Sequence, residues 1–202
     1  YNPAATGAAQ WTYLTGAVAP AMDAYGDGRV YGVPNPKIYG GLNNNISYKN
    51  FDLALNFTYS LGHMMYNGTK ATNLDNRFFN NITQILDRWT TPGQITEIPK
   101  LHYNDQYASG SVLMHSFNVE NGGFIKLRNI SMGYRVPSAL YSKAGINSIR
   151  FYATATNFLI WTKYSGIDPE ISANGDANGQ AGRDQNQVPA GRAYTFGVNI
   201  GF

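Results

Sequence analysis

Asp168 and Glu170, followed by Asn174, Asp176 and Asn178, gather oxygen donors in a Gly-rich stretch. Such a donor set suits a hard cation such as calcium. The spacing is not that of an EF-hand, and the same residues are ordinary turn formers. Asp168, Glu170 and Asp176 are thus a calcium candidate against a turn-forming alternative, and no other cofactor is expected. His63, His102 and His115 share no metal-ligand spacing, and the chain carries no phosphate-binding loop, dinucleotide fingerprint or nucleophile elbow. Enzymatic activity is not expected. Aromatic side chains outside the periodic segments (Trp11, Tyr13, Tyr25, Phe78, Phe79, Trp89, Tyr103 and Tyr107) are suited to stacking on sugar rings, gripping a peptide or docking a partner. Packing of loops on one another is the competing role. From Asp75 to Trp89 the apolar positions 78, 82, 85, 86 and 89 fall at helical spacing, which predicts an amphipathic loop helix.

The elements that must position these residues are extended. Phe51, Leu53, Leu55, Phe57, Tyr59 and Leu61 share one parity, while Asp52, Ala54, Asn56, Thr58, Ser60 and Gly62 share the other. Strict period two marks a strand with two chemically different faces. Ile38 to Tyr48 alternates more weakly, and Lys49-Asn50 is the right length for a two-residue hairpin. Tyr194, Phe196, Val198, Ile200 and Phe202 repeat the alternation at the end of the sequence. Ile130, Met132 and Tyr134, and then Ile149, Phe151, Ala153 and Ala155, mark two more strands. Ile125 and Leu127 lie on the opposite parity from Ile130, which predicts a bulge near Arg128-Asn129. Five strands are expected, at about 38–48, 51–61, 124–135, 147–161 and 192–202. Each is near the 9–11 residues that a tilted strand needs to cross a bilayer, against a usual five or six.

Composition agrees with this reading. The 202 residues include 22 Gly, 15 Tyr and 10 Phe, no Cys, and only 13% charged residues, about half the usual level for a soluble surface. Without thiols there is neither a disulfide scaffold nor a cysteine-ligated metal. No apolar run is long enough for a transmembrane helix. The net charge of +3 is scattered, so no nucleic-acid partner is expected. The asparagine sequons reflect Asn-rich composition, since three fall in strands. The sequence opens without Met, a basic n-region or an apolar h-region, as expected of a processed protein or of a piece of a longer one.

Connections sort by length. The joins at Lys49-Asn50 and 136–146 are short, while 1–37, 62–123 and 162–191 are long. Outer-membrane barrels alternate short periplasmic turns with long extracellular loops. One orientation assigns the two short joins to the periplasm and the three long segments to the outside. Tyr48, Phe51, Tyr134, Tyr141 and Phe202 then form one aromatic rim, and Tyr39, Tyr59, Trp161, Tyr164 and Tyr194 the other. Five strands cannot close such a barrel, so the chain is expected to be part of something larger.

The stretch Pro34–Leu53 (PNPKIYGGLNNNISYKNFDL) resembles the C-terminal barrel of SusC/RagA-family TonB-dependent transporters of Bacteroidetes. Leu86–Thr90 (LDRWT), Gly123–Tyr134 (GFIKLRNISMGY), Asn157-Phe158, Thr162–Glu170 (TKYSGIDPE) and Arg192–Phe202 (RAYTFGVNIGF) follow in the same order. The resemblance implies an all-β fold: antiparallel strands of a 22-stranded barrel with an N-terminal plug, in the outer membrane of a Gram-negative bacterium. It implies a SusD-like lipoprotein over the extracellular mouth and coupling to TonB through the plug. The cargo it implies is oligosaccharide or oligopeptide. Phe202 resembles the aromatic C-terminal assembly signal of such barrels. Two alternatives remain open from the residues alone. A soluble secreted β-sandwich that binds carbohydrate would share the period-two strands, and a passive porin would keep the barrel without lid or TonB.

Overall fold

The computed structural model describes residues 11–12, 18–19, 30–75, 80–98, 116–141, 145–173 and 181–202. In chain order the elements are β1 (Trp11–Thr12), β2 (Val18–Ala19), β3 (Ile38–Tyr48), β4 (Phe51–Leu61), β5 (Met64–Asn67), α1 (Gly68–Asn73), β6 (Val119–Asn121), β7 (Phe124–Arg135), β8 (Ser148–Thr162), β9 (Arg183–Asp184) and β10 (Ala193–Gly201), with short 3-10 turns between some of them. The chain divides into two compact units. A sheet unit comprises residues 35–63, 122–170 and 188–202, and a loop unit comprises residues 1–34, 64–121 and 171–187.

The sheet unit is one antiparallel sheet in the order β10-β8-β7-β4-β3, so β10 and β3 are its margins. Its strands run 9 to 15 residues. Lys49, at φ +52°, turns the chain between β3 and β4 so that Tyr48 pairs with Phe51. On the far side of β4 the register shifts once: Asn56 pairs with Asn129 and Phe57 with Leu127, leaving Arg128 as the extra residue of a bulge. Opposite it on β8, Asn157 and Phe158 are likewise skipped, and Asn157 takes the left-handed conformation at φ +53°. Asparagine tolerates that conformation better than most residues. Its side-chain amide donates to the Gly191 carbonyl at 3.0 Å, tying the approach to β10 onto the sheet.

The loop unit holds a small three-stranded sheet in which β5 pairs antiparallel with β6 and parallel with β9. The side chain of Asn67 caps α1 by accepting from the Lys70 amide at 2.8 Å. Among the described residues of 75–89, the helical spacing yields a 3-10 turn, Thr83–Asp87. Arg88 leaves the helical region at ψ 155° and ends the turn. The Asn81 amide donates to the Asn73 and Asp75 carbonyls, holding that backbone in a loop.

Candidate functional site

Register turns the alternation of single strands into rows across the sheet unit. Tyr48, Phe51, Tyr134, Phe151 and Val198 lie side by side, as do Ile46, Leu53, Met132, Ala153 and Phe196. Further rows are Leu42–Phe57–Leu127–Leu159 and Tyr59–Ile125–Trp161. The bulge at Arg128 keeps Ile125 and Leu127 on the same side as Ile130, Met132 and Tyr134. Phe196 is 78% exposed, and Ile38, Leu42, Ile46, Met132, Phe151, Val198 and Ile200 are all exposed as well. Leu53, Leu55 and Phe57 are half-buried, and Leu127 is buried. A continuous apolar face of this extent has lipid as its natural solvent, because water charges about 25 cal/mol for each Å² of apolar surface it must wet. The Phe51 and Tyr134 rings meet at 4.7 Å within the aromatic row at the Lys49 turn.

The opposite face is polar and shaped by glycine. Its rows include Asn43–Asn56–Asn129–Thr156 and Asn45–Ala54–Ser131–Thr154–Thr195, with the Asn56 amide donating to Asn43. Asp52 reaches Arg150 across β7, accepting from Nε at 3.2 Å and from the terminal nitrogen at 2.5 Å. The pair passes over Gly133, where a Cβ would collide with both groups. Tyr152 lies over Gly197 in the same way, with the Arg150 guanidinium 5.8 Å from the ring centre.

Toward the other end of this face lies a four-residue charge network. Lys126 Nζ donates to Asp168 Oδ2 at 3.0 Å and to Glu170 Oε2 at 2.6 Å. Arg128 donates to Glu170 Oε1 and reaches Thr58 Oγ1 at 3.4 Å. Because it is the bulged residue, Arg128 serves the polar face together with Asn129. The carboxylates arrive on the strap that follows β8. Thr162 Oγ1 donates to the Gly123 carbonyl and accepts from the Tyr164 amide; Tyr164 is buried against Gly166; and the Glu170 amide donates to Asp168 Oδ1 at 3.0 Å.

The loop unit is built differently. Among the described residues its largest fully buried side chains are Asn67, Asp75, Asn118 and Asp184. Thr69 donates to Asp184 at 2.7 Å, and Lys70 pairs with Glu120 at 3.2 Å. Arg183 lies over the Tyr66 ring. Burial pushes the Tyr66 hydroxyl above its ordinary value, partly offset by Arg183. In the sheet unit just beyond β4, burial holds the His63 imidazole below its ordinary value.

Several residues singled out by the sequence are placed otherwise than expected. Trp89 is 4% exposed, with its amide bonded to the Ile98 carbonyl at 3.0 Å. It is a core residue rather than a presented ring. Asp168 and Glu170 face an ammonium and a guanidinium, so both members of the calcium candidate that are described are engaged by cations of the protein itself. Asp176, Tyr13, Tyr25, Phe78, Phe79, Tyr103, Tyr107 and the side chain of Trp11 lie outside the described residues. Phe202 is exposed beyond β10. Spacing gave no signal for the partnership of Lys126 and Arg128 with residues more than forty positions away; the alternation that puts both on the polar parity was the available clue.

Long antiparallel strands with one greasy, uncovered face and one hydrophilic face define a wall segment of a transmembrane β-barrel. No family model matches the chain. It is 30% identical over 180 residues to TonB-dependent receptor P3 of Formosa agariphila, covering 87% of this chain and 17% of that protein. It is 25% identical over 179 residues to the TonB-dependent receptor SusC of Bacteroides thetaiotaomicron, covering 88% and 16%. The solved RagAB peptide transporter superposes with a TM-score of 0.77 at 26% identity, over 96% of this chain and 21% of that one. The chain belongs with the SusC/RagA class of TonB-dependent receptors, and it spans less than a fifth of the curated relatives it matches.

Proposed function

We infer that this segment forms part of the barrel wall of an outer-membrane importer driven through TonB. The observation that carries the reading is the uncovered apolar face, set in register over five strands, backing a face of amides, hydroxyls and paired charges. The apolar face meets lipid and the polar face lines the import path. Asp52 pairs with Arg150, and Lys126 and Arg128 with Asp168 and Glu170; the segment's part in uptake is to shape the passage rather than to catalyse a reaction. The cargo is an oligomeric nutrient, oligopeptide or oligosaccharide. The name of the RagAB relative supports the former, and the amide and hydroxyl rows suit the hydrogen-bonding groups of either. The remaining strands and plug of the same receptor close the barrel, and a SusD-like lipoprotein covers the mouth.

The test uses the full-length receptor in its native membrane. Deleting it abolishes uptake of one cargo class, deleting TonB does the same, and affinity purification in detergent brings down a surface lipoprotein. Uptake that survives loss of TonB overturns the energised reading in favour of a passive pore. A receptor whose lipid-face residues Leu55 and Phe196 are labelled by water-soluble reagents, and not by lipid-soluble ones, overturns the barrel itself.

A further inference from the structure

We propose that Asn44 makes a hydrogen-bonded contact within the membrane, and that its partner is a polar side chain on the receptor strand that adjoins β3. The proposal rests on the reading of the segment as barrel wall. Asn43 bonds Asn56 on the polar face, so Asn44, the next residue, lies on the apolar face opposite Leu55. It is exposed there. Every other position of that parity in β3 and β4 is aliphatic, aromatic or glycine. The same face continues through Ile130 and Met132, Ala153 and Ala155, and Phe196 and Val198. Among the register-paired residues of the five strands, Asn44 alone sets an amide in this face.

Depth makes that amide costly. Asn44 is the seventh of the eleven residues of β3, a strand about as long as a tilted crossing of the bilayer requires. It therefore falls near the middle of the hydrocarbon, where an amide without a partner forfeits the hydrogen bonds that water would give it. Lysine and arginine carry their charge out to the headgroups on long stems. Asparagine has no such stem, and either interface is about 15 Å away. Its neighbours in the segment offer no side-chain partner: Leu55 lies across the sheet, and Leu42 and Ile46 flank it along the strand. The remaining side is the open margin, because β3 ends the sheet and the rest of the barrel continues from it. Directly opposed side chains on neighbouring strands have Cβ atoms about 4.5–5.5 Å apart, a gap that two amides, or an amide and a hydroxyl, can bridge. The molecule makes such a bond one residue away, between Asn43 and Asn56. The partner is thus an asparagine, glutamine, serine or threonine set among apolar neighbours on the lipid side of the adjoining strand. Alternation opposes a slip of that seam by one residue, which would exchange the faces, but not a slip by two. A single polar pair tells those registers apart.

The experiment locates the partner and then breaks the pair in the full-length receptor. Ile46→Cys, one row from Asn44 on the same face, is combined with a cysteine at each lipid-side position of the adjoining strand in turn. This segment has no cysteine of its own, and cysteines elsewhere in the receptor are replaced by serine. Oxidative crosslinking in the native membrane, read by mass spectrometry, gives the register and with it the residue opposite Asn44. That residue is polar. Urea unfolding in lipid then shows a lower midpoint for Asn44→Leu, and for leucine at the partner position, than for the unaltered receptor; the double variant falls by less than the sum of the two. Heat-modified migration on gels establishes that each variant has a closed barrel, and Asn44→Ser, which keeps a donor and an acceptor, loses less than Asn44→Leu. An apolar residue opposite Asn44 overturns the proposal. So does a midpoint that holds or rises in Asn44→Leu, the result for an amide left facing lipid. A crosslinked species of twice the receptor's mass overturns it in favour of a contact between copies. The barrel reading fails separately, when Leu55→Cys takes up water-soluble reagents and not lipid-soluble ones.

Discussion

The sheet unit and the loop unit solve opposite burial problems. The sheet turns Phe196, Met132, Leu42 and Ile46 outward and keeps the Asn43–Asn56–Asn129 row, Thr154, Thr195 and its ion pairs on the other face. Among its described residues the loop unit buries Asn67, Asn118, Asp75 and Asp184 most completely, beside the apolar Met65, Ala71, Leu74, Trp89 and Ile98. The contrast shows how the surrounding solvent selects the stabilising interaction. A wall in hydrocarbon gains nothing from an apolar interior and must satisfy every backbone group within the sheet. The described part of the loop unit carries buried polar groups tied by directional hydrogen bonds, each contributing modestly when made and costing more when one partner is removed.

Leu55→Arg gives the sharpest contrast. Leu55 sits mid-strand between Asn44 and Ile130, so the substitution sets a charge in the apolar face at a cost of about 2–4 kcal/mol near the bilayer centre. Urea unfolding of the receptor in lipid should show this loss in the sheet, while limited proteolysis of the loop unit stays unchanged. An unaltered midpoint would mean that this face does not meet lipid.

Asn67→Ala should do the reverse. It removes the cap to the Lys70 amide and the 3.4 Å hydrogen bond to Glu120, at a cost of about 1–3 kcal/mol. Protease sensitivity should rise within residues 64–75 while barrel heat-modifiability holds. Loss of both together would show that the two units fold as one cooperative body.

The smallest effect is a pH dependence at His63. Burial lowers its pKa in the folded state, so the unfolded chain binds the proton first as pH falls. The stability tied to neutral His63 is present above the unfolded value of about 6.5 and drains away as pH drops below it. Hydrogen exchange at residues 62–65, taken relative to the intrinsic rate of an unstructured peptide at the same pH, should accelerate between pH 7 and 5 (the span about that value) in the unaltered receptor and not in His63→Gln. Equal acceleration in both would assign the effect to another group.

Legibility in the sequence follows the same division. The sheet was readable because one physical demand, an apolar side and a polar side, repeats every second residue from Phe51 to Leu61 and from Tyr194 to Phe202. Even the Arg128 bulge announced itself as a change of parity. The loop unit imposes no period. Nothing local links Thr69 to Asp184 or Lys70 to Glu120, and the spacing of Ile82, Ile85 and Trp89 suggests a helix where the Asn81 side chain instead bonds the Asn73 and Asp75 carbonyls. Trp89 looked like a presented ring for the same reason, since burial in an aperiodic core leaves no mark along the chain. Within the charge network, parity placed Lys126 and Arg128 on the polar face, but the arrival of Asp168 and Glu170 depends on a strap whose path only three dimensions reveal.

The two margins of the sheet carry a practical consequence. β3 presents eleven residues and β10 nine along seams that have no neighbouring strand among the described residues, each a template for another extended backbone. Handled apart from the rest of the receptor, the segment would be sticky along both borders and inclined to stack copy upon copy into ribbons. Its good behaviour is a property it borrows from adjoining strands.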